Sequence, residues 1–165
     1  MTTNGNWSLR KGDLDALDRV LGSFVSEARA TCALLLDRTG RTITAAGETG
    51  NLDQTAFASL AAADFAASDQ LARLLGEAEF ASLYHAGGSH SMYLADVGGH
   101  AILAALFDAH TTLGLVRLRS RAIIPRMNEV LTEVSTRPAQ PISSGPGVDD
   151  GWLDAAADEI DRLFA

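Results

Sequence analysis

SMYLADVGGHAILAALFDAHTTLGLVRLR, residues 91–119, decides how the rest of the chain is read. Every residue from Ala101 to Phe107 is apolar. A strand wetted on one face would alternate, so this one is expected to be covered on both faces. Before it, Met92 to Ala95 lead into Val97-Gly98-Gly99-His100, and the glycine pair offers the positive φ that a tight hairpin turn requires. After it, Asp108-Ala109-His110-Thr111-Thr112 is a polar reversal of hairpin length. Leu113 to Arg119 then sets Arg117 and Arg119 on one side and Val116 and Leu118 on the other, a period of two. The stretch therefore predicts three strands in an antiparallel meander.

Upstream, residues 13–30 repeat Leu14, Leu17, Val20, Leu21, Phe24 and Val25 on one helical stripe, which predicts a helix capped by Asp13. Residues 31–37 (TCALLLD), the turn Arg38-Thr39-Gly40 and residues 41–46 (RTITAA) predict a β-hairpin, with Cys32 packed in its first strand as a small hydrophobe. Asp53 can cap a long helix that runs to Leu75 and stops at Gly76. Phe57, Leu60, Ala61, Leu71, Leu74 and Leu75 are expected to form its core side. Ala62, Ala66, Asp69, Gln70 and Arg73 mark a second side, small enough for a partner to approach closely; the plainer reading is that alanine simply favours helix. Residues 77–90 read as an irregular connector. Residues 121–136 predict a further helix with Pro125 in its first turn, where a missing N–H goes unnoticed.

The order helix, hairpin, helix, meander, helix implies an α/β (α+β) sandwich on a five-stranded antiparallel sheet. The expected organisation is a flexible start (1–12), one domain (13–136), a Pro/Gly/Ser linker (137–148) and an amphipathic helix (149–165). In that last segment Leu153, Ala156, Ile160, Leu163 and Phe164 form a stripe against a wet face of Asp154, Asp158, Glu159 and Asp161.

Composition excludes several function classes. A formal charge of −8 argues against a nucleic-acid partner, because phosphate binding needs clustered Lys and Arg. A single cysteine rules out an intramolecular disulfide and a cysteine-rich zinc site, and His85, His90, His100 and His110 lack a tight metal-binding spacing. Neither a phosphate-binding GxxxxGK[ST] loop nor a dinucleotide fingerprint occurs. Gly87-Gly88-Ser89-His90-Ser91 lacks the closing glycine of a nucleophile elbow. No cofactor, metal or catalytic residue is expected, and the chain is not expected to be an enzyme in its own right. No apolar run reaches the roughly 20 residues needed to span a bilayer, and MTTNGNWSLRKGD lacks a signal-peptide core, so a cytoplasmic protein without membrane insertion is expected.

FAASDQLARLLGEAEF (65–80), Tyr84-His85, Ser91-Met92-Tyr93 and LFDAHTTLGLVRLR (106–119) resemble the MglB-like branch of the roadblock/dynein light chain superfamily, and DEIDRLF (158–164) is similar to the tail of some of its members. The resemblance implies a roadblock-type sandwich with the long helix on one face of the sheet and two helices on the other. It implies a homodimer paired through the middle helix and the strand after it, roughly 53–75 and 91–95. It further implies one partner, a GTP-bound MglA-like small Ras-like GTPase, bound on the paired middle helices. The positions matching that platform are Ala62, Ala66, Gln70 and Arg73, and Asp64, Asp69 and Gln70 are more polar than in related helices.

The implied function is GTPase activation in bacterial cell polarity or gliding motility, by reshaping the GTPase switches without an arginine finger; enrichment at a cell pole stays open. One alternative is a non-catalytic roadblock scaffold that binds a GTPase or motor component, and another is a small-molecule sensor using the sheet and connector. Leu153, Ile160, Leu163 and Phe164 are expected to dock on the GTPase away from the platform, the alternative being that they pack back on their own dimer.

Overall fold

Residues 101–107 form the central strand of a five-stranded antiparallel sheet whose strands lie in the order 42–47, 32–37, 101–107, 91–97 and 82–85. The structure, a computed structural model, describes residues 8–137. The elements are α1 (Lys11–Ala28), β1 (Cys32–Asp37), β2 (Thr42–Gly47), α2 (Gln54–Leu74), β3 (Ser82–His85), β4 (Ser91–Val97), β5 (Ala101–Phe107) and α3 (Leu113–Thr136).

Alternation along the two middle strands divides the core. Ala33 and Leu35 of β1 and Ala101, Leu103, Ala105 and Phe107 of β5 join Leu17, Leu21 and Phe24 of α1 and Val116, Ile123, Met127 and Leu131 of α3. Cys32, Leu34, Leu36, Ile102 and Ala104 point the other way, to Ala58, Ala61, Ala62 and Phe65 of α2. Each leucine wholly removed from water contributes about 1.5–3 kcal/mol, which is why apolar runs, and not alternating ones, occupy the strands sandwiched by helices. The three-layer arrangement agrees with the expected roadblock-type sandwich, and Cys32 is buried as a free thiol whose pKa burial raises.

The turns follow their chemistry. Gly98 and Gly99 have φ of 60° and 73° between β4 and β5, as the hairpin required. Asp53 Oδ1 accepts the Ala56 amide at 3.0 Å and caps α2. Asp13 is not the cap of α1 but its third residue; its carboxylate accepts the amide of Arg10, the true cap position, at 2.9 Å. Arg137 at the end of α3 reaches the same carboxylate at 2.8 and 3.2 Å, tying α3 to the start of α1.

Three further expectations fail, in the meander and the helix that follows it. Residues 113–119 are not a strand but the first turns of α3: the Thr112 hydroxyl accepts the Leu115 amide, and Val116, Ser120, Ile123 and Met127 bury one helical face. Val116 is buried and Leu118 is 62% exposed, so the apparent period of two was a short slice of the helical one. The third meander strand lies instead in the supposed connector, as β3, whose Ser82 to His85 pair with Ala95 to Met92. Its four residues are too few to show a period. With the helix begun early, Pro125 falls in its interior and not in its first turn. The proline removes the N–H that would bond the Arg121 carbonyl, at an exposed position of the helix.

Candidate interaction site

α2 lies close to the sheet because small residues face it: Ala58, Ala61, Ala62, Ser68 and Ala72 are buried beside Phe65. The closeness is visible at the β1–β2 turn, where Gly40 has φ 88° and a Cβ there would stand 2.8 Å from the Ser59 Cα. The large residues of the helix consequently point outward. Leu60, Leu71 and Leu74 are 70%, 57% and 83% exposed, and Leu75 beyond the helix end is 74% exposed. These leucines were expected in the core. A helix with apolar residues all round carries no signal of which side is wet, and the close approach awarded the inner side to alanine.

On the helical period Ala56, Leu60, Ala63, Ala67, Leu71 and Leu74 make one strip along the outer face. Of the four residues expected on the platform, Ala66, Gln70 and Arg73 are exposed along one flank of this strip. Ala62 is 6% exposed, belongs to the layer against the sheet, and leaves the candidate surface.

Beside α2 runs β3, the sheet edge, with its outer N–H and C=O groups unpaired among the described residues. The strand that follows α2 is therefore β3 and not 91–95, which lies in β4, enclosed between β5 and β3. Asp64 joins the two elements: its Oδ2 lies 2.7 Å from His85 Nε2 at the end of β3. Underneath, Arg38 pairs with Asp69 of α2 at 3.5 Å and with Asp96 of β4, and its guanidinium sits 5.0 Å from the Phe65 ring centre. The polar positions Asp64 and Asp69 thus fasten the helix to the sheet while the outer strip stays apolar. A strip of exposed leucine and alanine beside a short open strand is suited to protein partners.

On the opposite side of the sheet an open hollow of about 540 Å³ is lined by Tyr84, Ser89, Phe107, His110 and Thr112 among others. Among the described residues no group of three His, Cys, Asp or Glu side chains could hold a metal, and no helix is long and apolar enough to cross a membrane. Leu153, Ile160, Leu163 and Phe164 lie outside the described residues.

No match is found among curated proteins. Among solved structures, MglB of Myxococcus xanthus is 37% identical, with 71% of this chain and 95% of that one covered at a TM-score of 0.68. The gliding protein MglB of Thermus thermophilus is 28% identical, with 79% and 99% covered at a TM-score of 0.74. A structure described as MglB with a tetrameric arrangement is 28% identical, with 80% and 99% covered at 0.75. The Roadblock/LC7 domain profile matches residues 16–107, from α1 to the end of the central strand, and the chain belongs to that family, in which it is MglB-like.

Proposed function

We propose that the chain works as a homodimer that binds a GTP-bound, MglA-type small GTPase on the paired outer faces of α2 and accelerates its hydrolysis of GTP, in control of bacterial cell polarity or gliding motility. The observation that carries this is the 37% identity to Myxococcus MglB over nearly the whole of that chain. Support comes from the exposed leucine and alanine strip, which a lone domain would leave in water, and from a relative whose description records an assembled state. Activation proceeds by ordering the switch segments of the GTPase so that its own residues meet the attacking water. Arg73, in the last turn of α2, is assigned to contact with the partner and not to the chemistry.

Single-turnover GTP hydrolysis by an MglA-type GTPase tests the proposal. Acceleration by orders of magnitude at saturating protein is expected. Binding without acceleration would make the chain a scaffold, the alternative that the same surface supports, and absence of binding would overturn both.

A further inference from the structure

The outer face of α3 differs in charge from the rest of the molecule. Residues 109–128 carry four arginines and no carboxylate in a chain whose net charge is −8. Arg119 pairs with Glu27 at 3.1 Å and Arg117 lies over the Tyr93 ring, whereas Arg121 and Arg126 are exposed and pair with no carboxylate among the described residues. Between them on the helical period, Leu118, Ala122 and Pro125 form a short exposed apolar strip, with Arg117 and Arg121 to one side and Arg119 and Arg126 to the other.

Residues 138–165 hold the complementary pattern. They contain six of the 21 carboxylates but only one of the 13 lysines and arginines. Written on a helical period, Leu153, Ile160 and Phe164 form an apolar strip with Asp154 and Asp161 on one flank and Glu159 on the other.

We propose that the acidic C-terminal segment, residues 149–165, docks along the outer face of its own α3, laying its apolar strip on Leu118, Ala122 and Pro125 and its carboxylates against Arg117, Arg121 and Arg126. The length of chain permits it. From Arg137 back to Arg126 the helix rises roughly 17 Å at about 1.5 Å per residue, and the linker 138–148 can stretch to roughly 36–40 Å. Running antiparallel to α3, the segment then covers the basic half of the helix as far as Gly114. This docking is independent of any GTPase.

The test is paramagnetic broadening in the full-length protein, with a nitroxide on Ala165→Cys. Buried Cys32, its thiol pKa raised by burial, is protected from labelling. Labelled and isotope-enriched chains are diluted in excess unlabelled protein so that only contacts within one chain are seen. The amide signals of 114–126 are expected to broaden, and the effect should fade in about 1 M salt, where the Debye length is near 3 Å. Arg121→Glu with Arg126→Glu should abolish it, and adding Glu159→Arg with Asp161→Arg should restore it. Broadening that is absent, that centres on α2, that appears only between different chains, or that appears only after a GTPase is added would overturn the proposal.

Discussion

Gly40 shows how one residue sets the height of α2 above the sheet. Its φ of 88° disfavours a side chain, and a Cβ would press on the Ser59 backbone. Left-handed backbone costs about 1–2 kcal/mol for a residue with a Cβ, before the clash is counted. Gly40→Ala is therefore expected to destabilise the domain by roughly 2–4 kcal/mol, read as a lower urea midpoint with an unchanged slope. A second residue-scale prediction concerns acid. Hydrogen bonds from the Arg137 side chain, and then from the Arg10 amide, hold the Asp13 carboxyl below its ordinary value of 3.8. Burial would raise the Asp37 carboxyl, but hydrogen bonds from Thr39 and Arg41 outweigh it and lower it instead. A depressed carboxyl pKa means that the folded state binds fewer protons, so its stabilisation is full above 3.8 and lost as pH falls through the folded value. Arg137→Ala should lose stability at neutral pH and show a shallower further loss below about pH 4 than the wild type, measured by denaturant melts.

At the scale of elements, legibility depended on length and on whether the pattern had one solution. β1 and β5 were readable because five and seven consecutive apolar residues demand cover on both faces. The Gly98-Gly99 turn was readable because two successive positive φ angles are reached without strain almost only by glycine. The start of α3 was misassigned because a stretch as short as 113–119 fits two periods, and β3 was hidden because one shorter still fits any. The outer face of α2 was the costliest miss: the sequence presents alanines and leucines on several sides, and only the close packing beneath Phe65 and Ala61 shows that the leucines face out. That exposure yields an element-scale prediction. Leu71→Glu with Leu74→Glu removes no core contact, so the melting temperature of the isolated domain should hold within a few degrees, while like charges brought together across paired helices should convert a dimer to a 17.4 kDa monomer in sedimentation. A variant that stays dimeric would place the self-association elsewhere.

For the whole molecule, the sandwich separates two faces. One presents α2 and the open edge β3; the other presents α1 and α3, whose basic half contrasts with the acidic remainder of the chain. The first face leaves the leucine strip of α2 exposed, while the second holds the start of α1 and the end of α3 together through Asp13 and Arg137. If Arg73 only contacts the GTPase, Arg73→Ala should weaken binding yet keep most of the acceleration at saturation, whereas a true arginine finger would cost about 10³–10⁵ in rate.

The central claim, that the outer face of α2 receives the GTPase and drives hydrolysis, is tested most directly by single-turnover GTP hydrolysis with an MglA-type GTPase, comparing wild type with Ala66→Arg. Ala66 is exposed on the flank of the leucine strip, so the variant should fold with an unchanged circular dichroism spectrum and melt. Acceleration by orders of magnitude with the wild type, and its loss with Ala66→Arg, is the predicted result; equal acceleration by both proteins, or none by the wild type despite binding, would contradict it.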